Sequence, residues 1–172
     1  MDNTALLIID IQNDYFPKGS FPLWNTANTL LNIKQLMTRA KQHDIPILLI
    51  QHISLAPKGQ ARFFERETRG ADVHPEVIAI CPDAPIIQKQ YADSFYQTNL
   101  ENLLDCYGIE QLLICGMMTQ NCVTHTAISK TAEKYKIAIV EDCCTTTDKM
   151  IHNMALSAAS TRVELLSSTE LF

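Results

Sequence analysis

An acid, an amine and a thiol each come just after a short apolar run of this chain. They are Asp10, Lys89 and Cys122. A thiol beside a proton acceptor and a cation is the arrangement of an activated nucleophile. Each of these residues has ordinary structural roles on its own, such as ending a strand, carrying a solvated charge or filling a core. Catalysis is therefore indicated only if the fold brings all three to one place.

Alternating strand and helix patterns predict such a fold. Short apolar runs predict strands at Ala5–Ile9, Ile45–Ile50, Pro85–Gln88, Gln111–Cys115, Ile137–Val140 and Arg162–Leu166. Patterns with helical periodicity predict helices at Asn25–His43, Thr98–Cys106, Asn121–Lys134 and Lys149–Ser160. The alternation indicates an α/β fold with three αβα layers and a doubly wound, mostly parallel six-stranded sheet of Rossmann-like type. Ligands of such sheets bind beyond the carboxyl ends of the strands, where Asp10, Lys89 and Cys122 would meet.

The predicted helix at Asn121–Lys134 bears on the reactivity of Cys122. A thiol in the first turn of a helix lies near free backbone N–H groups and the positive end of the helix dipole. We expect these groups, together with Lys89, to lower the pKa of Cys122. The same N–H groups are suited to receive an oxyanion.

Length and composition limit the function classes. The chain has 172 residues, of which 47% are hydrophobic and 19% charged, and its formal net charge is −5. One globular domain over residues 1–172 is expected. The negative charge disfavours nucleic acid and anionic membranes as partners and favours a small-molecule substrate. No apolar run is long enough to span a membrane, and the start of the chain lacks the pattern of a secretory signal, so a cytoplasmic location is expected.

The other cysteines are expected to be structural. The chain has six cysteines, and their spacing is not that of a zinc site. We expect free thiols, because an intracellular protein of this size needs no disulfide framework. Cys143 and Cys144 follow the fifth predicted strand and remain weaker candidates for the same edge of the sheet.

A long segment without periodicity, residues 54–75, is typical of a lid or a binding loop. It carries Arg62, Arg66 and Arg69 close to Phe63 and Phe64. The guanidinium groups are suited to bind a substrate carboxylate, but a solvated helix or an ion pair at an interface is the commoner role of such residues.

Several ordered motifs resemble the isochorismatase-like cysteine hydrolases, a family that includes nicotinamidases, N-carbamoylsarcosine amidohydrolases and isochorismatases. The matching segments are ALLIIDIQNDYFPKG, VHPEV, IIQKQYADSFYQTNL, LLICGMMTQNCV and VEDCC. The resemblance extends from the first predicted strand to about the fifth. Their order and strand context make the combination specific.

The resemblance implies roles for particular residues. Asp10, Lys89 and Cys122 match the catalytic triad of the family, in which the cysteine is the nucleophile and the aspartate carries the proton. The backbone N–H groups of Met118 and Cys122 match the oxyanion hole, preceded by a cis peptide at Met117–Met118. Tyr15 matches an aromatic residue that lines the substrate pocket, and Met117 is expected to line the same pocket. The resemblance also implies a homodimer or homotetramer.

One departure argues against a metal-dependent nicotinamidase. Such enzymes carry an Asp-x-His pair after the second strand, where this chain has Gln51, His52, Ile53 and Ser54. His52 is therefore expected to lie in the pocket wall, and neither a metal nor another cofactor is predicted.

Cys122 favours hydrolysis of a C–N bond in an amide or ureide, through a thioester, over hydrolysis of a vinyl ether. A vinyl-ether hydrolase needs acid catalysis and no nucleophile, and it remains an alternative. A silent binding or assembly protein of the same fold is a second alternative. A phosphotransfer enzyme would need an acid two residues after Asp10, and Gln12 stands there.

Overall fold

The computed structural model describes residues 3–171 and shows a six-stranded sheet in the order β3-β2-β1-β4-β5-β6. Every neighbouring pair of strands is parallel. The strands are β1 (Thr4–Ile9), β2 (Ile47–His52), β3 (Ile86–Lys89), β4 (Gln111–Met117), β5 (Lys136–Thr145) and β6 (Glu164–Leu166). The predicted doubly wound α/β fold is thus confirmed. Met1, Asp2 and Phe172, at the ends of the expected domain, lie outside the described residues.

The middle of the sheet is buried on both faces, which explains why its strands read as continuous apolar runs. All six residues of β1 are buried, and so are the six residues of β4 that follow Gln111. The registers align the carboxyl ends of neighbouring strands. Ile9 of β1 is opposite Gly116 of β4, and His52 of β2 is opposite Lys89 of β3. Side chains that follow these strands therefore meet at one edge.

Helices cover both faces of the sheet. They are α1 (Thr26–Gln42), α2 (Pro75–Ile80), α3 (Leu100–Cys106), α4 (Thr124–Ala127) and α5 (Lys149–Ala159). α1 contacts α2, and α4 contacts α5. The strand order reverses beside β1, so right-handed crossovers place the two pairs on opposite faces. Within residues 3–171, no helix has both the length and the apolar character needed to cross a membrane.

The predicted long helix at Asn121–Lys134 is wrong. A π-helical turn at Thr119–Val123 leads into the four-residue α4, and a separate 3-10 turn follows at Thr131–Lys134. Hydroxyl side chains explain the break, because they bond groups outside a regular helix. Thr126 Oγ1 donates to Ser94 Oγ over 2.8 Å, and Ser129 Oγ donates to Asp93 Oδ2 over 2.7 Å.

β5 is longer than predicted. It continues five residues beyond Val140, through Glu141 and Asp142 to Thr145. Within the added part of the strand, the Asp142 carboxylate accepts hydrogen bonds from the N–H of Ser168 (2.7 Å) and from its hydroxyl (2.6 Å). A charge with such partners is tolerated beside a sheet. The other predicted elements differ from the observed ones by a few residues at their ends.

The segment predicted as one long loop contains regular structure. A 3-10 turn forms at Arg69–Ala71, and α2 begins at Pro75. His74 is the N-cap residue of α2, and Pro75 takes the first position of the helix, where its missing N–H has no cost. The remaining irregular part, residues 53–68, lies between β2 and this turn.

Candidate active site

Lys89 lies between Asp10 and Cys122. Its Nζ donates to Asp10 Oδ2 over 2.9 Å and to Cys122 Sγ over 3.1 Å. Asp10 follows β1, Lys89 ends β3, and Cys122 lies in the π-helical turn after β4. The three residues that the sequence singled out are therefore brought together at the carboxyl edge of the sheet.

The same ammonium contacts two further acceptors. Lys89 Nζ lies 3.0 Å from His52 Nδ1 and 3.1 Å from the carbonyl oxygen of Tyr91. His52 was predicted to lie in the pocket wall, and it is half-buried beside this group. Its ring is also 5.9 Å from the ring of Phe64.

All three candidate residues are shielded from solvent. The relative exposure of Asp10 is 0%, that of Lys89 is 1% and that of Cys122 is 2%. The buried Asp10 Oδ1 has no hydrogen-bond partner within the described part of the chain. A buried carboxylate oxygen without a donor is unfavourable, and it is available to accept a proton from a thiol or a ligand.

The prediction that the pKa of Cys122 is lowered is wrong. Burial and the Asp10 carboxylate raise the pKa of the thiol well above its ordinary value, and Lys89 lowers it only in part. The long helix predicted from Asn121 does not form, so the dipole that the prediction relied on is missing. Burial lowers the pKa of Lys89, but Asp10 and Cys122 raise it further, so the lysine is charged. Before a substrate binds, the site thus holds a neutral Cys122 thiol beside the ion pair of Lys89 and Asp10.

The peptide bond between Met117 and Met118 is cis, as expected. The carbonyl oxygen of Met118 then accepts from the N–H of Asn121 (3.0 Å) and of Val123 (3.3 Å), which closes the turn that carries Cys122. Met117 is fully buried, and Met118 is nearly so. The oxyanion hole formed by the Met118 and Cys122 N–H groups stays a prediction.

Three aromatic rings pack around Tyr15. Its ring centroid lies 4.5 Å from that of Phe64, 5.5 Å from Phe63 and 6.3 Å from Phe21. Burial, followed by Asp10, Cys122 and Asp14, raises the pKa of the Tyr15 phenol, so this ring stays neutral. The pocket role of Tyr15 stays a prediction.

Of the three loop arginines, Arg62 has a defined contact. Its guanidinium carbon lies 4.5 Å from the centroid of the Phe21 ring, a cation–π geometry at the edge of the aromatic cluster. Arg66 and Arg69 are exposed. The structure therefore places only Arg62 against the aromatic residues.

Sequence reasoning assigned no role to two buried polar residues that position the loops. Asp14 Oδ2 accepts from the N–H of Phe64 over 2.7 Å, and its Oδ1 accepts from the N–H of Ser20 over 3.0 Å. Gln12 Oε1 accepts from the N–H of His52 over 2.8 Å. The segment Asp10-Ile-Gln-Asn-Asp14 directly after β1 was the available signal, because polar residues at a strand end frequently bond loop backbone.

Asp10, His52 and Cys122 offer an oxygen, a nitrogen and a sulfur atom within 4.8 Å of one another. Lys89 Nζ lies within hydrogen-bond distance of all three residues. The ammonium thus supplies the positive charge that these atoms face, and a metal ion among them would have to displace it. The oxygen, nitrogen and sulfur atoms of these three residues thus suit the lysine ammonium better than a resident metal ion. The absence of a metal from the working site stays a prediction.

Cys143 and Cys144 are buried in β5 and are free thiols. Cys144 Sγ donates to the carbonyl oxygen of Val140 over 3.3 Å. Burial raises the pKa of Cys143, and it raises that of Cys144 to about 12. Both residues thus behave as small core side chains.

Replacing Lys89 by Met is expected to slow alkylation of Cys122 by iodoacetamide. Lys89 is the group that lowers the pKa of this thiol, and each unit of increase reduces the thiolate fraction about tenfold. Mass spectrometry at pH 8 gives the rate at Cys122 relative to Cys106, an exposed cysteine in the same chain. Lys130→Met, which changes an exposed lysine, is the control. An unchanged relative rate in Lys89→Met would contradict the role of Lys89.

Comparison with known proteins agrees with this geometry. The family model described as the isochorismatase domain matches residues 4–170. The isochorismatase family protein YddQ of Bacillus subtilis is 35% identical over 156 residues, which cover 90% of this chain and 84% of that protein. A crystal structure assigned as an isochorismatase hydrolase, from Oleispira antarctica, has a TM-score of 0.88 at 31% identity and covers 99% of this chain and 97% of that one.

Of two more distant relatives, one is named as an active hydrolase and the other as an inactive one. Ureidoacrylate amidohydrolase RutB of Serratia proteamaculans is 26% identical, with 72% of this chain and 62% of that protein covered. A protein of Arabidopsis thaliana named a probable inactive nicotinamidase is 25% identical, with 87% and 84% covered. From the matched domain, the parallel sheet and the grouped aspartate, lysine and cysteine, we conclude that this chain belongs to the isochorismatase family of hydrolases.

Proposed function

We propose that this protein is a cysteine-dependent hydrolase that cleaves a C–N bond of a small amide or ureide through a thioester-type intermediate. The observation that carries the proposal is the position of Lys89 Nζ, 2.9 Å from Asp10 Oδ2 and 3.1 Å from Cys122 Sγ. The unpartnered Asp10 Oδ1 supplies the proton acceptor that the neutral thiol needs.

In the first half of the reaction, Cys122 Sγ attacks the carbonyl carbon of the substrate while Asp10 takes the thiol proton. The Lys89 ammonium stabilises the developing thiolate and keeps one oxygen of Asp10 in place. The negative oxygen of the tetrahedral intermediate binds the N–H groups of Met118 and Cys122. Asp10 then gives its proton to the leaving nitrogen, the C–N bond breaks, and a thioester remains on Cys122.

In the second half, water replaces the amine. Asp10 is again a carboxylate, so it accepts a proton from the water as the oxygen attacks the thioester carbon. When the C–S bond breaks, the sulfur recovers the proton through Asp10 and the acid product leaves. The same carboxylate thus serves as base and acid in both halves, and no metal or cofactor takes part.

The choice of C–N cleavage is supported by the thiol itself. A vinyl-ether hydrolase has no use for a nucleophile beside a proton carrier, whereas acyl transfer uses both. The amidohydrolase among the relatives shows that the family includes this chemistry. The small-molecule substrate, the homodimer or homotetramer and the cytoplasmic location stay predictions.

A screen of small amides, ureides and vinyl ethers tests the proposal. We expect the wild-type protein to release ammonia or an amine from at least one amide or ureide, with EDTA leaving the rate unchanged. Rapid acid quenching followed by mass spectrometry should show the acyl group on Cys122. Cys106→Ala is the control for cysteine replacement, because this thiol is exposed at the end of α3 and is not one of the site residues.

Two outcomes would contradict the proposal. If Cys122→Ala hydrolysed a vinyl ether as fast as the wild type, the protein would be an acid catalyst. If no class of substrate gave turnover or an adduct, the silent binding protein would be the better description.

A further inference from the structure

His52 and Lys89 are the last residues of two adjacent parallel strands and are register partners. Register partners in a parallel sheet project their side chains to the same face. This placement explains why His52 Nδ1 lies 3.0 Å from Lys89 Nζ. The contact follows from the sheet itself and needs no flexible loop.

The direction of this hydrogen bond is settled by charge. An ammonium group has three N–H donors and no acceptor, so His52 Nδ1 must be the acceptor. An imidazole nitrogen accepts only when it carries no proton, which places the proton of the neutral ring on Nε2. His52 is thus neutral, in the Nε2–H tautomer.

The ammonium has more acceptors than hydrogens. Four atoms lie within hydrogen-bond distance of Lys89 Nζ: Asp10 Oδ2, His52 Nδ1, Tyr91 O and Cys122 Sγ, at 2.9, 3.0, 3.1 and 3.1 Å. His52 Nδ1 and the Tyr91 carbonyl oxygen neither react nor carry charge. Since three N–H groups face four acceptors, at least one N–H is shared, and the two neutral acceptors help to hold the ammonium beside the acid and the thiol.

The backbone of His52 is itself held in place. Gln12 Oε1 accepts from its N–H over 2.8 Å, and Gln12 Nε2 donates to its carbonyl oxygen over 2.8 Å. Gln12 Nε2 also donates to the carbonyl oxygen of Ala71 over 2.7 Å. Gln12 is fully buried, and both ends of its amide are thus bonded. A second layer of hydrogen bonds therefore sets the position from which the imidazole reaches Lys89.

We propose that His52 is a positioning residue, whose neutral imidazole accepts a hydrogen bond from Lys89 and holds the ammonium between Asp10 and Cys122. The effect on turnover rests on the proposed function. The tautomer of His52 and its contact with Lys89 do not depend on the proposed function. The positioning role and the proposed function can therefore be tested and refuted separately.

Protonation of His52 would break this arrangement. The charged groups that face its ring are Lys89 on β3 and Asp10 after β1, with the neutral Cys122 thiol after β4 and the uncharged ring of Phe64 from the loop. Burial and then Lys89 lower the pKa of His52, and Asp10 raises it by less. A proton added to Nδ1 would point at the ammonium. As the pH falls through the pKa of His52, Lys89 should therefore lose its position and turnover should decline.

Nitrogen NMR of the imidazoles tests the contact without any substrate. We expect His52 to be the Nε2–H tautomer with a pKa below 6.5, and we expect this pKa to rise in Lys89→Met, which removes the neighbouring charge. His52→Asn identifies the signals by their loss. An Nδ1–H tautomer, or a His52 pKa unaffected by Lys89→Met, would overturn the proposed contact.

The pH profile of turnover, or of Cys122 alkylation if no substrate is found, tests the positioning role. Asn offers an oxygen acceptor near the place of Nδ1 and does not titrate, so His52→Asn should keep most of the rate at neutral pH and move the acid limb to lower pH. His52→Ala removes the acceptor and should reduce the rate about 10- to 100-fold, the scale of a small displacement in an active site.

The control is His74→Asn. His74 is also a half-buried histidine with a lowered pKa, but it caps α2, and Asn is a suitable N-cap residue. Its pH profile should match that of the wild type. If His52→Asn kept the wild-type acid limb, or if His52→Ala kept the wild-type rate, His52 would not position Lys89.

Discussion

Cys122→Ala is expected to reduce turnover at least about 10⁴-fold, as removal of the nucleophile does where several residues act as one catalytic unit. Asp10→Asn keeps the size of the side chain but cannot accept the thiol proton, so it should lose at least about 100-fold, the low end for a general base. Both measurements use kcat on a substrate found in the screen. Asp72→Asn, which changes an exposed acid, and Cys106→Ala are the matched controls.

The two losses should not add. In Cys122→Ala no thiol proton remains for Asp10 to accept, so Asp10→Asn should cause little further loss in the double variant. Additive losses would mean that Asp10 acts independently of the thiol. Near-normal turnover in Asp10→Asn would show that another group at this edge carries the proton, with His52 the first candidate.

The position of the site was predictable because it depends on strand order and strand polarity alone. Asp10, Lys89 and Cys122 are far apart in sequence, but each lies at or just beyond the carboxyl end of a parallel strand of one sheet. Parallel strands joined by right-handed crossovers bring such residues to one edge, whatever the exact ends of the strands. The prediction therefore survived errors of a few residues in the element boundaries.

The chemical state of the thiol was not predictable in the same way. It depends on burial and on the distances to Asp10 and Lys89, which no sequence pattern carries. The helix predicted at Asn121–Lys134 does not form, because Thr126 and Ser129 bond residues 32 and 36 positions earlier in the chain. The hydrophobic periodicity of a segment indicates its local preference for a helix, and hydrogen bonds to residues distant in sequence can override that preference.

The hydrogen-bond partners of Gln12 and Asp14, which position the loops, could not be predicted from the sequence either. Gln12 and Asp14 come shortly after β1 in the sequence, but no sequence pattern identifies the hydrogen-bond partner of either residue. Gln12 bonds backbone 40 and 59 positions away, and Asp14 bonds backbone 50 positions away. A polar residue after a strand predicts a hydrogen bond, but the partner is known only once the loops are placed.

Gly116→Ala is expected to be the most destabilising of the single changes considered. Gly116 has φ of +128°, and a Cβ there would lie 2.0 Å from the carbonyl oxygen of Ile9 on the neighbouring central strand. The Ile9 carbonyl oxygen is backbone of the central sheet, so it cannot move aside as the end of a side chain would. We expect the free energy of unfolding to fall by at least about 3 kcal/mol, from overpacking and an unfavourable backbone conformation together.

Gly108→Ala separates these two causes. Gly108 also has a positive φ, +64°, but nothing lies within 4 Å of the place of its Cβ. Only the conformational cost remains, so this variant should lose about 1 kcal/mol. Urea unfolding of both variants gives the two free energies. If Gly116→Ala is too unstable to purify while Gly108→Ala folds, the result agrees with the prediction in its extreme form. Equal losses in the two variants would mean that β1 and β4 can separate at Ile9 without cost, which contradicts the close approach of the two strands beside Asp10.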